Sequence, residues 1–309
     1  MRHNTILCVF LLLSFNTGFS FRQERSEESS LAAQKDPNSS ITSNGTVGDD
    51  FYYPSDRLEY IRRTIYEDTV NDAVIIRFEE NVRKSIADGF AEPWQNLVPK
   101  LTREQCVKMP TPELAKVCFS TSLFTRLLLI YDRPVYAFSI AKIRYPCYEE
   151  LFNRDNLWEG VLSAYSFYSS SLNPKGEPND VIDAIMGLNN LPLFFQYPPM
   201  RRQLEGREVL FVRAHLEALK NIRSFIKDDK DNSTVSSTQF FSVTTPISLV
   251  NYSLVLLQKV STDKSKSVID NISKLRLSKT PEMKEVKKYI DICINEIEPF
   301  LDSYMSDRK

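Results

Sequence analysis

From Phe51 to the C-terminus, apolar residues recur every three or four positions, the spacing of helices that bury one face. Ser55-Asp56 caps a first helix with Leu58, Ile61 and Ile65 on one side. Val74, Phe78, Val82 and Ile86 mark the inner face of a second, which ends near Gly89. Thr111-Pro112-Glu113 opens a helix that runs through Cys118 to Tyr131, and Pro134 starts its partner, which runs to Tyr145. Leu157 to Leu172, Asp180 to Leu188 and Met200 to Lys227 follow, the last with Val209, Val212, Leu216, Leu219, Ile222 and Ile226 at the helical period. Gln239 to Thr245 reads as a short extended piece. Thr245-Pro246, Thr262-Asp263 and Thr280-Pro281-Glu282 then open three more helices, the last with Ile290, Ile294, Ile297 and Leu301 facing inward. The pattern predicts an all-α domain over residues 51–309, a single compact bundle of about ten helices, with a hinge in the polar stretch 228–237. The whole chain has only eight glycines, fewer than the tight turns of a sheet-rich fold require.

The first fifty residues follow a different pattern. Arg2 and His3 precede an apolar run, Ile6 to Phe15, that is too short to span a bilayer, and Gly18-Phe19-Ser20 supplies small residues beyond it. Residues 1–20 are therefore expected to be a signal peptide cleaved after Ser20, and the mature chain to be secreted and extracellular with no membrane insertion. Residues 21–50 hold three basic and six acidic residues and few apolar ones, so a disordered acidic, polar tail is expected there. The body from Phe51 has 35 basic and 34 acidic residues. That balance creates no basic field, so no nucleic-acid partner is expected.

An oxidising compartment changes the reading of cysteine and of Asn-x-Ser/Thr. Cys8 leaves with the leader, and Cys106, Cys118, Cys147 and Cys293 remain, an even number that predicts two disulfides. Cys118 lies fifteen residues before Arg133 and Cys147 fourteen after it, so an antiparallel hairpin would bring them face to face. That leaves Cys106 for Cys293; a local Cys106–Cys118 bridge around Met109-Pro110-Thr111-Pro112 is the competing arrangement. Asn38, Asn44 and Asn232 are the better glycosylation candidates because they sit in polar, loop-like stretches. Asn251 and Asn271 also begin the motif but fall within helical patterns, where a glycan needs an outward face.

The chemistry on offer is narrow. His215 is the one histidine of the mature chain, and its place in a helical pattern reads as a packed or half-exposed helix residue rather than a catalytic one. The sequence has no Gly-rich phosphate loop, no Gly-x-Ser-x-Gly elbow and no calcium-loop spacing. The doublets Glu79-Glu80, Glu149-Glu150 and Asp228-Asp229 read as solvated surface. No residue is put forward as catalytic, cofactor-binding or metal-ligating. Arg201, Arg202, Arg207, Arg213, Lys220, Arg223 and Lys227 bias one helix toward positive charge, diluted by Glu205, Glu208 and Glu217. Asp49 to Pro54 places tyrosines beside acidic residues, a setting for sulfation, but docking of Phe51, Tyr52 and Tyr53 at the start of the domain is favoured. Aromatic residues make up 11%, and Tyr165, Phe167, Tyr168, Phe194, Phe195 and Tyr197 cluster near the middle of the chain. They read as core, or as the wall of a site for an apolar small molecule.

The segments FYYPSDRLEYIRRTIYEDTVNDAVIIRFEENVRKSI, Phe51 to Ile86, and CVKMPTPELAKVCF, Cys106 to Phe119, together with the leader, the acidic tail and four mature cysteines, resemble the mosquito salivary 34-kilodalton secreted protein family. The resemblance covers nearly the whole mature chain. It implies a protein injected during blood feeding that acts on host haemostasis or immunity by binding, and it transfers no catalytic residue. The expected function is that of a non-catalytic salivary effector whose partner is a host protein or cell-surface receptor. The alternatives are a helical carrier for an apolar small molecule and, last, a hydrolase of unrecognised type.

Overall fold

The computed structural model describes residues 51–52, 55–67, 72–87, 99–120, 123–130, 133–172, 178–226, 236–260, 262–278 and 281–307. Among these, helix dominates, as the apolar period predicts. The first helices are α1 (Ser55–Tyr66), α2 (Asp72–Ala87), α3 (Arg103–Lys108), α4 (Thr111–Phe119), α5 (Leu123–Ile130), α6 (Pro134–Arg144) and α7 (Pro146–Phe152). They are followed by α8 (Leu157–Ser170), α9 (Pro178–Asn190), a 3-10 segment (Leu191–Gln196), α10 (Pro198–Leu204), α11 (Glu208–Phe225), α12 (Ser236–Val260), α13 (Asp263–Ser273) and α14 (Met283–Ser306). Two strands of two residues each, Phe51–Tyr52 and Leu277–Ser278, are the only β-structure among the described residues. The helices all belong to one unit, Tyr52–Lys309.

The helix starts follow ordinary chemistry. Thr102 caps α3 with a reciprocal box: its hydroxyl accepts from the Gln105 backbone N–H at 3.2 Å, and the Gln105 side chain accepts from the Thr102 N–H at 2.8 Å. Thr262 and Ser265 repeat the device on α13, both bonds at 3.0 Å. Proline stands in the first turn of α4, α6, α7 and α10, where its missing N–H removes no helical bond.

The longest helix, α12, organises the core. It touches α1, α9, α11, α13 and α14, and Leu249, Val250, Leu254, Val255, Leu256 and Leu257 on it are buried. From Leu249 to Leu257 every residue is buried, so this stretch has no polar face to mark its period. Residues 239–245 are helical, and Pro246 lies inside α12 instead of opening it. α8 packs on α4, α9, α10 and α11. It meets α4 tightly at Gly160, where an added Cβ would lie 3.1 Å from that of Ala115.

Other boundaries also differ from the pattern. The expected helix to Tyr131 ends at Phe119, with Ser120 as its cap, and a separate α5 follows. The expected helix from Met200 is two, because Gly206 takes φ 74° between α10 and α11 and reverses the chain. On α2 the buried residues are Ile75 and Val82, with Phe78 half-buried against α6 and stacked on Tyr136 at 4.4 Å, while Val74 faces out. The expected leader 1–20, the tail 21–50 and residues 228–235 of the expected hinge lie outside the described residues; Ser236 and Ser237 begin α12.

Gly187 on α9 lets that helix meet the ring of Tyr168 on α8 at closer than van der Waals range for any Cβ. The ring is fixed from its far end, because the Tyr168 hydroxyl donates to the Phe119 carbonyl oxygen. Gly187→Ala is therefore expected to destabilise the fold by about 1–3 kcal/mol despite the better helix propensity of alanine. The measurement is the urea midpoint; an unchanged midpoint would mean that the ring is free to move aside.

Candidate functional site

Two groups of buried polar and sulfur side chains are the places where chemistry could reside. The first surrounds His215. The period of α11 puts His215 on the buried stripe with Phe211, Leu216 and Leu219, and packing against α8 and α12 seals it completely. Its Nδ1 lies 2.9 Å from the Ser253 hydroxyl on α12, and its Nε2 lies 2.9 Å from the Tyr165 hydroxyl on α8. Ser253 spends its own proton on the Leu249 carbonyl oxygen at 2.8 Å, so it accepts from the imidazole. The network thus assigns the proton to Nδ1, and bare Nε2 accepts from Tyr165. Burial holds His215 down at about 3, against an ordinary value of 6.5, and pushes the Tyr165 phenol well up. A serine nucleophile needs its hydroxyl proton directed at the base; here it points away, into the helix backbone. The arrangement is a neutral, fully paired tie between three helices.

The second group is a corner made by α3, α4, α7 and the start of α8. Arg154 organises it. Its guanidinium, largely buried, donates to the carbonyl oxygens of Met109 at 2.7 Å and Cys106 at 2.9 Å, to Thr111 Oγ1 at 3.0 Å and to Glu150 Oε1 at 3.0 Å. The planar fork closes the C-terminal end of α3, where carbonyls lack helical partners. Gln203 on α10 braces the turn that carries Arg154, donating to its carbonyl oxygen at 2.9 Å and accepting from the Trp158 N–H at 3.2 Å. Arg103 of α3 pairs with Glu149 of α7 on the outer side.

Cys106, Cys118 and Cys147 come together inside this corner. All are buried, and the Cys118 thiol hydrogen-bonds the Cys147 sulfur. That bond holds Cys147 below its usual range, while burial pushes Cys118 well up and Cys106 up. The Tyr148 hydroxyl fixes the Cys118 backbone, donating to its carbonyl oxygen at 2.6 Å. Cys293 is apart on α14, beside the Tyr289 hydroxyl, and burial pushes it up to about 12.

These positions correct the disulfide expectation. All four cysteines are free thiols, so neither Cys118–Cys147 nor Cys106–Cys293 is bridged. Cys118 and Cys147 are neighbours as expected, but as a hydrogen-bonded pair. The hairpin that would align them is absent, since α4, α5, α6 and α7 are four short helices with turns between them. The Arg154 clamp draws α3, and with it Cys106, into the same corner and away from any pairing with Cys293.

Much of the expected aromatic cluster and of the basic helix is engaged in packing and ion pairs. Phe194 of the 3-10 segment meets Phe119, Phe138 and Phe152 with ring centroids 5.2, 4.5 and 5.8 Å away. Tyr197 meets Phe138 and Phe152 at 5.1 and 5.4 Å, and Phe195 meets Phe211 at 5.1 Å and Tyr252 at 5.9 Å. The aromatic cluster is thus an interlocked core around the 3-10 segment. Along α11 much of the basic bias is spent internally: Arg223 binds Asp291 bidentately at 2.7 and 3.0 Å, Lys220 binds Glu298 at 2.6 Å, and Arg207 stacks on Trp158 at 4.9 Å. Asn38, Asn44 and Asn232 lie outside the described residues, as do most of Asp49 to Pro54. Among the described residues no cluster of His, Cys, Asp and Glu is arranged to hold a metal ion, and no helix is long and apolar enough to cross a membrane. No protein-family model, curated protein or solved structure matches the chain.

The sequence pattern passed over Arg154 and Ser253 and marked Tyr165 only as one of an aromatic cluster. Their long-range partners lie 38 to 50 residues away along the chain, so no local spacing announces them.

Two outcomes test this description. Arg154→Lys leaves a point charge where a five-donor fork satisfied buried carbonyls, and is expected to cost about 2–4 kcal/mol by chemical denaturation. A loss under half that would mean that water replaces the fork. His215 stays neutral in the fold while the unfolded chain takes up a proton below 6.5, so the unfolded state binds the extra proton and stability falls as pH drops from 6.5 toward 3. The contribution is about 1.4 kcal/mol per pH unit. His215→Gln keeps hydrogen-bonding groups but cannot titrate, so its stability-against-pH curve is expected to be flatter by that slope. Parallel curves would show that His215 protonates in the native state.

Proposed function

We propose that this chain is a secreted, non-catalytic effector that binds a host protein or cell-surface receptor and modulates haemostasis or immunity during blood feeding, in keeping with its resemblance to the mosquito salivary 34-kilodalton secreted proteins. Secretion rests on the leader pattern of residues 1–20. The observation that carries the non-catalytic half is the state of His215: buried, neutral, and bound on both nitrogens to Ser253 and Tyr165. A general base must reach a substrate, and this imidazole is closed off by the core. Free thiols are compatible with an oxidising compartment here because all four are buried, and sealed structural cysteines are inert to oxidants.

The test is to express the full chain in insect cells, collect the mature protein from the medium and titrate it against washed vertebrate blood cells and fractionated plasma. The expected result is a new N-terminus at Phe21 and saturable binding to one cell type or one plasma fraction. Retention in the cell with residues 1–20 attached would overturn the secretion reading. A secreted chain that carries an apolar small molecule in native mass spectrometry and binds neither cells nor plasma would replace the effector with a carrier.

A further inference from the structure

The structure separates the two Asn-x-Ser motifs that fall on described helices. Asn251-Tyr252-Ser253 lies on α12 in the middle of the core, with Asn251 only 2% exposed and Ser253 fully buried in the His215 tie. A glycan there would have to pass through packed side chains, so a chain modified at Asn251 could not close its core. Asn271-Ile272-Ser273 lies in the last turn of α13 with the opposite orientation. Asn271 is exposed, Ile272 is buried, and the Asn271 amide reaches outward along the surface to donate to Glu296 Oε2 of α14 at 2.9 Å.

A second observation bears on the same motif. The Ser273 hydroxyl is buried and has no hydrogen-bond partner among the described residues. An orphaned buried hydroxyl costs about 1–3 kcal/mol, and native folds carry few of them without a reason. The same hydroxyl, before the fold closes, is the group that completes the acceptor motif two residues after Asn271.

We propose that Asn271 is an N-glycosylation site and that Asn251 is a silent one, an inference that rests on the reading of this chain as secreted. In the transfer, Asn271 Nδ2 attacks C1 of the first sugar of a lipid-pyrophosphate-linked oligosaccharide. The N–C1 bond forms, the C1–O bond to pyrophosphate breaks with its electron pair leaving on the lipid pyrophosphate, and Nδ2 loses one proton to a base of the transferase. The product amide keeps one N–H, so the hydrogen bond to Glu296 survives the modification. The sugar then stands over the outer face of the α13–α14 pair and directs any protein partner to other faces of the domain.

The experiment uses the full chain secreted from insect cells, treated with a peptide N-glycosidase in heavy-oxygen water so that each released site becomes a labelled aspartate, and mapped by peptide mass spectrometry. The expected result is label at Asn271 and none at Asn251. In Ser273→Ala the label at Asn271 is lost, the intact mass falls by one glycan, and the enzymatically deglycosylated protein unfolds at a urea midpoint no lower than that of the deglycosylated parent. A secreted chain with its leader removed, glycan at Asn38, Asn44 or Asn232 and none at Asn271 would overturn this inference alone, as would label at Asn251. A chain kept in the cell with its leader attached and no glycan at any site would overturn the secretion reading, and this inference with it.

Discussion

The tie from Tyr165 through His215 to Ser253 sets a condition that the surrounding helices must meet together. An imidazole in the centre of an apolar core is tolerable only if it is neutral and both nitrogens are paired. That requires α8, α11 and α12 to hold their rotations about their own axes, because a turn of any one would strand a donor or acceptor. Apolar packing alone would allow several registers of three greased helices; a buried polar tie distinguishes among them. The same logic extends to α9, whose glycine at 187 admits the Tyr168 ring from α8, and to the Phe119 carbonyl that anchors the ring. The central helices are fixed by polar contacts set within an apolar mass.

The corner around Arg154 solves a different problem. Helices as short as α3, α4 and α7 have a large share of backbone groups without internal partners. Burying such ends is expensive, and a single guanidinium with five donors meets several carbonyl oxygens at once. This differs in kind from the ion pairs of α11 with α14. Those groups are about a third to a half exposed, so solvent screens them and each contributes little to stability. The three cysteines of the corner follow from the clamp, since Arg154 binds the backbone of Cys106 and so delivers its thiol to the pair formed by Cys118 and Cys147.

The legible part of the fold is the part governed by local periodicity. α1 and α14 begin, and α6 and α8 begin and end, within a few residues of where capping and apolar spacing put them, and Leu58, Ile61 and Ile65 are buried as their spacing requires. α3 and α7 escaped because six or seven residues give too few repeats to show a period. The start of α12 escaped because Pro246, which ordinarily opens a helix, here lies inside one. Proximity of Cys118 to Cys147 was legible, but through a hairpin that does not exist, and the arrival of Cys106 depended on a side chain 48 residues away. The position of His215 between Phe211 and Leu219 left it packed or half-exposed; the structure buries it, and its partners were not legible.

The same contrast bears on how a partner would be met. The chain carries 39 basic and 40 acidic residues, and the basic helix α11 neutralises Arg223 and Lys220 against α14. A net charge near zero supplies no overall field to steer an encounter, so a partner would associate at the ordinary rate of about 10⁵–10⁶ per molar per second. Affinity must then come from residence, that is, from close fit and a slow off-rate. Among the described residues the exposed large apolar side chains are Tyr60 on α1, Val74 and Ile76 on α2, Val107 on α3 and Leu210 on α11, one or two to a helix. A partner that binds such a surface reads shape and short-range polar contacts, and the rigid internal ties of this fold are what would keep that shape constant.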